Sequence, residues 1–564
     1  MVNQDLAQIF KNIADYIEME DNPNFFRVRA FRKAAESLEG YSEDVSGFNI
    51  YQLKQISGIG QALAENILEY VKTGKMEYYE QLQASSPVKL EELKKIQGMG
   101  PKRVKKLYRE LGIKNVEDLK SAAEKGLISK LEGFGEKSEK SILENLKFAI
   151  LNKERVRIDI ALQVAESYIK YLEDNDLGIQ KINYCGSLRR RKETIADIDL
   201  TVSSKDPAKT SEIFIKYPEV DKVLGHGETK SSVWLKSKIQ VDMRVIPVEA
   251  YGSALQYFTG SKEHNVSLRK IAIKKGYKLS EYGLFKKFSN QKVAGENEED
   301  IYKILVKNYI EPELREDNGE IELALAGKLP KIISIDDVKG DLQMHTTHSD
   351  GAHTVDEMIE KCISLGYEFV GITDHFGSLQ VANAVREDEF TEYYEDIYRA
   401  KEKYKGRIKV FIGAEINIKP KGDLDYSQKK MEKLDYVLAS IHSSLEQNTE
   451  LATQRYLSTL ENPVIKIVGH PTGRLIQKRR GLEFDFAKVF AKASEKNVAM
   501  EINAHPMRLD LSFNLAKLAK EYGCKISINT DAHSAPELEL MKYGVFVARK
   551  AGIEKENLFS ISKS

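Results

Sequence analysis

The sequence predicts a multidomain α/β protein whose C-terminal part is a parallel barrel of the distorted (β/α)7 kind. Three observations predict it. Over the first 150 residues apolar positions recur at spacings of three and four with few β-branched runs, the mark of amphipathic helices. In the middle of the chain, "TIADIDL" and "KIQVDMRVIP" alternate apolar and polar residues at the period of a half-buried strand. Beyond residue 340, apolar runs separated by helix-length segments each end in His, Asp or Glu. That is the polarity of a β/α barrel, whose functional side chains gather at the C-terminal strand ends.

A chain of 564 residues exceeds one hydrophobic core and should divide into about three to five domains. The expected divisions are two helical domains at 1–85 and 86–150, a mixed region at 151–250 and 251–315, an acidic linker or short helix at 316–337, and the barrel at 338–564. Charged residues are 30% and hydrophobic ones 41%, ordinary for a globular protein. Lys+Arg against Asp+Glu is 23 to 23 for residues 1–150, 28 to 22 for 151–310 and 35 to 41 thereafter, so the net charge of zero conceals a basic middle suited to a polyanion. The start "MVNQDLAQIF" lacks the basic and apolar segments of a signal peptide, and no apolar run is long enough to span a bilayer. A cytoplasmic location away from membranes is expected. Cys185, Cys362 and Cys524 are isolated and form no CxxC pair, which argues against a disulfide framework or a thiolate zinc site.

In the helical part, "SGIG" (57–60), "QGMG" (97–100) and "EGFG" (132–135) each introduce a helix-like stretch. Paired glycines let the backbone turn tightly, and the helix that follows presents unpaired N–H groups and a positive dipole end to a phosphate. The DNA-binding candidates are therefore Gly58, Gly60, Gly98, Gly100, Gly133 and Gly135, with Lys102 beside the second pair. Three such segments in so short a span resemble helix-hairpin-helix motifs, which grip DNA backbone.

In the middle region the period of two puts Asp197 and Asp199 on one strand face and Asp242 on the polar face of another. Neighbouring carboxylates repel unless a cation lies between them, and oxygen donors suit magnesium. Three acids on adjacent strands suit two such ions, one activating a hydroxyl and one neutralising a leaving pyrophosphate, with the cations Arg189 to Lys192 holding a triphosphate. "GSLRRRKETIADID" resembles the nucleotidyltransferase signature, and "YFTGSKEHNVSLRKIAIKKGYKLSEYGLF" resembles the thumb of family X DNA polymerases.

With the hairpins, the family X resemblance covers roughly residues 1–315. It implies a nucleotidyltransferase palm and a thumb, with Asp197, Asp199 and Asp242 as catalytic metal ligands and Asp242 as base for the primer 3′-hydroxyl. It implies Ser187, Arg190 and Arg155 as phosphate contacts, Tyr257, Phe258 and Gly260 beside the sugar, and Asn265 and Arg269 facing the minor groove. The sequence departs from the pattern at Ile195 and Ala196 before the first acid, at Gln240 where an Arg is usual, and at Asn66 where lyases of the family carry a Schiff-base lysine. An amide cannot form that imine. RNA or antibiotic nucleotidyltransferases share the GS and DxD elements but are not expected to carry "YFTGS" or three hairpins.

The C-terminal runs are "GDLQMH", "FVGITDH", "KVFIGAEIN", "YVLASIH", "IKIVGHP", "VAMEINAHP" and "KISINTDAH", and eight of the ten histidines lie after residue 340. Imidazoles with carboxylates and no thiolate suit zinc, manganese or iron in a hydrolytic site. The pattern resembles the PHP metal-dependent phosphoesterases, which bind up to three metals. That implies one metal on His345, Glu415 and Asp531, a second on Asp350, His375 and His533, and a third on Glu415, His442 and His470. Gln343 stands where the family has a histidine, a poorer donor for the first metal. Arg474 and Arg508, just past strand ends, are candidates for a substrate phosphate, while His348 and His353 are expected bystanders.

The resemblance as a whole implies a monomeric gap-filling repair polymerase that trims 3′ ends. Its expected partners are gapped or primer-template DNA and deoxynucleoside triphosphates, with Mg2+ in the polymerase and Mn2+, Zn2+ or Fe2+ in the PHP site. The alternative is a PHP domain that serves only as an interaction module.

Overall fold

Helix-forming residues with paired glycines between them build the first part of the chain. In the computed structural model helices α1 (Val2–Met19) and α2 (Phe25–Glu39) pack through Phe10, Ile13, Phe31 and Leu38. Helices α3 (Gln61–Thr73) and α4 (Pro101–Leu111) follow "SGIG" and "QGMG" and start at Gly60 and Gly100, with Pro101 at the first helical position of α4. The structure describes all residues except 1, 40, 42–44, 95, 97–98, 137, 141, 144–145, 147–154, 176–177, 379–381 and 562–564. The chain forms two compact units, residues 1–153 with 477–480, and residues 154–476 with 481–564.

The second unit begins with a five-stranded mixed sheet: β1 (Ile179–Tyr184), β2 (Asp197–Ser204), β3 (Val220–Gly225), β4 (Lys230–Leu235) and β5 (Gln240–Val245), in the spatial order β1-β2-β5-β4-β3. Only β2 and β5 run parallel. Ile198, Leu200, Val241 and Met243 face the core, as the period-two reading requires. Helices α5 (Tyr251–Thr259), α6 (Lys262–Lys274) and α7 (Glu298–Val306) continue the chain, with a three-stranded antiparallel sheet between α6 and α7.

A buried charge centre joins this segment to the sheet region. Glu298 accepts from Arg189 at 3.0 and 2.7 Å and from Arg315 and Tyr309. Burial pushes its carboxyl upward, but Arg315 and Arg189 outweigh that and hold it at about 2. A depressed carboxyl contributes stability above the ordinary pKa of 4.5 and loses it as pH falls through about 2. Glu298→Gln, which strands two buried guanidinium groups, should cost about 3–5 kcal/mol at neutral pH. Denaturant melts should show the gap to wild type closing between pH 4.5 and 2; a gap that holds constant over that range would remove the electrostatic explanation.

Of the two alternatives for 316–337, the helical one forms. Helix α8 (Glu320–Ala326) packs Ile321 and Ala324 into the α6–α7 core, and Glu320 accepts from buried His264 at 2.6 Å if that ring nitrogen carries the proton.

Eight parallel strands follow: β6 (Gly340–Asp341), β7 (Phe369–Ile372), β8 (His375–Phe376), β9 (Lys409–Asn417), β10 (Tyr436–Ser440), β11 (Ile465–Gly469), β12 (Ala499–Asn503) and β13 (Ile526–Asn529). β7 and β8 are two pieces of the single run "FVGITDH", both beside β9, so seven sequence runs occupy seven positions. The ring closes where Met344 bridges Ala532 and where Asp531 and His345 exchange backbone bonds with Gln343 and Ala532 at 3.1 and 2.8 Å. Helix α9 (Met541–Lys550) is the last long helix. All three cysteines are buried and free.

Candidate active sites

In the mixed sheet, the parallel register sets Asp199 directly opposite Asp242, and Asp197 opposite Gln240. Asp197 is exposed at the strand start, whereas burial first and then Asp197 and Asp242 push the Asp199 carboxyl up to about 7. Three convergent acids, one of them half-buried and repelled by its neighbours, form a donor set that fits hard divalent cations. Gln240 Nε2 donates to Asp242 Oδ1 at 2.9 Å, and Lys230 Nζ lies 3.7 Å from Asp242 Oδ2. The turn carrying Ser187 packs on Asp199: Cys185 N donates to Asp199 O at 2.7 Å, and a Cβ on Gly186 (φ +60) would stand 2.6 Å from Asp199 Oδ2. Only glycine fits there.

The four consecutive cations, expected to hold a triphosphate, each have protein partners. Arg189 is committed to Glu298 and Thr259, Arg191 lies over the Phe546 ring at 4.0 Å, and Lys192 pairs with Glu316 at 3.0 Å. Arg190 donates to Thr259 O and, through Nε, to Glu316 Oε1 at 3.2 Å. It also sits against Gly260, where a Cβ would lie 3.1 Å from Arg190 Nη1. Arg155 Nε donates to Thr194 Oγ1 at 2.9 Å.

Tyr257 and Phe258 are half-buried, with Arg244 stacked 4.6 Å from the Phe258 ring, and Arg269 is half-buried on α6. Asn265 departs from its expected groove-facing role. It is buried, accepting from Gln256 and donating to Tyr257 O, both at 2.7 Å, because the chain at the end of α5 needs a donor there.

At the barrel mouth Glu415, fully buried in β9, stands among four imidazoles. Its Oε1 is 2.9 Å from His470 Nε2 and 3.3 Å from His442 Nε2, and its Oε2 is 3.3 Å from both His345 Nε2 and His375 Nδ1. His345 Nε2 is 3.1 Å from Asp531 Oδ1, and Asp350 Oδ1 is 3.4 Å from His533 and 3.8 Å from His375. Among the described residues three groups have donors close enough to share an ion: His345, Glu415 and Asp531; His375, Glu415 and His442; and His345, Asp350, His375 and His533. His345 thus joins the group expected from Asp350, His375 and His533, while His470 reaches the cluster through Glu415.

Among the described residues Glu415 Oε2 and Gln343 Oε1 are buried without a hydrogen-bond partner. Burial drives His375 down to about 3, so its imidazole is neutral. A buried carboxylate oxygen without a hydrogen-bond partner, set among imidazoles of which His375 is neutral, fits a bound metal ion. His470 (φ +24) and Asp531 (φ +56) hold left-handed backbone, strain of the kind found where side chains are aimed into sites.

Sequence reasoning missed the acids that brace these donors. Asp374 accepts from Thr346 N and Ser349 Oγ at 2.7 and 2.6 Å, fixing the loop of Asp350. Glu501 accepts from Asn529 Nδ2 at 2.6 Å and from His470 N at 2.5 Å, and Asp341 accepts from Thr530 N at 3.1 Å. All three lie inside the ligand-bearing runs, which was the available signal.

Arg508 lies 3.4 Å from Asp531 Oδ2 at the cluster edge. Arg474 is a correction. It is half-buried and bidentate to Glu193 at 3.0 and 2.6 Å, with a further bond to Leu509 O, so it fastens the barrel to the palm side and is not held out for substrate. His348 pairs with Asp396 at 2.9 Å, outside the cluster.

In the first unit Gly58 and Gly133 hold positive φ, Gly60 and Gly100 start α3 and α4, and Gly135 precedes a helical turn. Gly98 lies outside the described residues. Lys102 is exposed, 3.8 Å from Glu18.

Family models match a helix-hairpin-helix domain at 1–76, a SAM-like helix-hairpin-helix tandem at 90–147, the DNA polymerase beta thumb at 254–316 and the PHP domain at 341–505. The chain is 37% identical to "DNA polymerase/3′-5′ exonuclease PolX" of Bacillus subtilis (strain 168), over 99% of its own length and 97% of the relative's. It belongs to the bacterial family X DNA polymerases with a PHP domain. A "Probable phosphatase" of Thermoanaerobacter sp. (strain X514) is 27% identical over 221 residues, covering 38% of this chain and 87% of that protein. A further relative is DNA polymerase lambda of Rattus norvegicus, 25% identical over 52% of each chain.

Within this family X chain, Gln343 has its Nε2 3.2 Å from Asp531 Oδ1, the oxygen that also faces His345. Gln343→His should raise metal retained after dialysis against chelator by about tenfold, since lesser changes around ligating groups move affinity by about 10–100-fold. Elemental analysis of both proteins is the check, and equal occupancy would make Gln343 a spectator.

Proposed function

We propose that this polymerase fills short gaps in DNA by nucleotidyl transfer at Asp197, Asp199 and Asp242, and that its PHP domain degrades 3′ ends as a metal-dependent phosphodiesterase. The observation that carries the first half is the in-register pair Asp199 and Asp242 beside the Ser187 turn. Mg2+ ions held by the three carboxylates would activate the primer hydroxyl and neutralise the pyrophosphate. The protein's own contribution is orientation and charge. Gln240 and Lys230 fix Asp242, the acceptor for the hydroxyl proton; Ser187 and Arg190, with Arg155 nearby, receive the triphosphate of a deoxynucleotide; Tyr257, Phe258 and Gly260 line the sugar. Arg269 lies on the same helix as Asn265, whose buried amide supports the α5 end and leaves groove contact to its neighbours.

For the second half, Glu415 and its four imidazoles are the support, and Mn2+, Zn2+ or Fe2+ suits that donor set. The glycines Gly58, Gly60, Gly98, Gly100, Gly133 and Gly135, with Lys102, would hold the backbone of gapped or primer-template DNA. We place the enzyme in the cytoplasm as a monomer; no helix among the described residues is long and apolar enough to cross a membrane. Incubating the protein with gapped duplex, nucleotides and Mg2+, and separately with a 3′-tailed strand and Mn2+, tests both halves. No extension in the first tube, or no shortening in the second, overturns the corresponding half.

A further inference from the structure

The turn that presents Ser187 and Arg190 is held from the far side by the PHP barrel. Arg191 lies over Phe546 in α9, and the ammonium groups of Lys192 and Lys550 lie 5.6 and 5.0 Å from the Phe513 ring. Lys550, the last residue of α9, has a side chain only 1% exposed. Its Nζ donates to Arg190 O at 3.1 Å, Glu313 O at 3.2 Å and Glu316 Oε1 at 2.6 Å, which uses all three ammonium protons.

Glu316 Oε1 is the oxygen that also accepts from Arg190 Nε at 3.2 Å, while Oε2 faces Lys192 at 3.0 Å. One carboxylate is therefore shared by three cations, and one of the three is the proposed triphosphate ligand. A buried ion cluster of this kind adds little to stability over apolar packing. Burial pulls Lys550 down to about 8 against the opposing pull of Glu316, so the ammonium is still the main form at neutral pH. Keeping a charge there is better explained by what it does to the turn.

We propose that Lys550 of the PHP domain is a positioning residue for the polymerase's triphosphate site: by holding the Arg190 carbonyl and sharing Glu316, it leaves the Arg190 guanidinium free enough to meet an incoming nucleotide. This rests on the reading of Arg190 as a triphosphate ligand. Without Lys550, Glu316 Oε1 turns its full charge on Arg190 and competes with the triphosphate, and the turn loses the donor on its carbonyl.

The test is single-nucleotide insertion on gapped duplex by Lys550→Met, Glu316→Gln and the double variant, with 3′-end degradation and thermal unfolding followed in parallel. Lys550→Met should raise the KM for nucleotide about tenfold, the scale of one charge-assisted contact, with kcat within about twofold and 3′-end degradation unchanged. Glu316→Gln should lower KM, and the double variant should return to within about threefold of wild type because the competing charge is gone. A purely structural role makes the two changes additive, leaving the double variant as poor as Lys550→Met or worse. That outcome, or a wild-type KM in Lys550→Met, overturns the inference. Should Lys550→Met fail to fold, Glu316→Gln decides, since an unchanged or raised KM there is incompatible with competition for Arg190. Wild-type protein that inserts no nucleotide overturns the polymerase reading and this inference together, whereas normal insertion with an unmoved KM overturns this one alone.

Discussion

Asp199→Asn and Asp242→Asn are each expected to lower primer extension by at least about 10^3-fold, about 4 kcal/mol of transition-state stabilisation. The amide is isosteric, so the β2–β5 register that sets the two positions opposite each other should survive. What disappears is a charge that the divalent ions need. Asp199 is held up near 7 by burial, then by Asp197 and Asp242, so in the metal-free protein its ionised form is a source of repulsion. Removing it should leave the thermal midpoint unchanged or higher while activity collapses, the signature of a site that trades stability for function. DNA binding should stay near wild type because the glycine turns that would grip the backbone belong to the other compact unit. Extension within tenfold of wild type by either variant would mean that these carboxylates do not carry the reaction; a large fall in thermal midpoint would mean that the loss reports unfolding.

The acids were legible in the sequence because a strand has a period of two and each motif sits on one strand. "TIADIDL" and "QVDMRV" needed only that periodicity to bring out Asp197, Asp199 and Asp242, and the structure adds which residue faces which. The barrel donors were legible for a similar reason: each closes an apolar run, and strand ends in a parallel barrel converge on one mouth. The partners of Arg189, Arg190 and Lys550 were not. They lie 109, 126 and 360 positions away in sequence, and no local pattern carries information over such separations. The same limit made Arg474 a candidate for a substrate phosphate, since its partner Glu193 is 281 positions distant. The acidic stretch 316–337 was legible only as a linker or short helix. In the fold Glu313, Glu316 and Glu320 pair with Arg549, Lys550 and His264, so that charge which resembles a linker's is the joint of the second unit.

Glu415→Gln and His442→Ala should each reduce 3′-end degradation by about 10^2-fold or more while leaving primer extension within about twofold of wild type. Glu415 is the shared carboxylate of two donor groups, and both of its oxygens face imidazoles at 2.9 to 3.3 Å. An amide there offers one weaker donor oxygen where the carboxylate offers two and a charge, so metal should be lost from both groups at once. His442 belongs to one group only and is half-buried, so its removal should lower bound metal by less than Glu415→Gln does. Polymerisation should persist because the barrel meets residues 190–193 through Phe513, Phe546, Lys550 and Arg474, none of them a member of a donor group. Measuring both activities and the bound metal on the same preparations separates the cases. Wild-type shortening of 3′ ends by Glu415→Gln would show that the nuclease lies outside the barrel, and equal loss of extension would show that the barrel's metals hold up the palm as well.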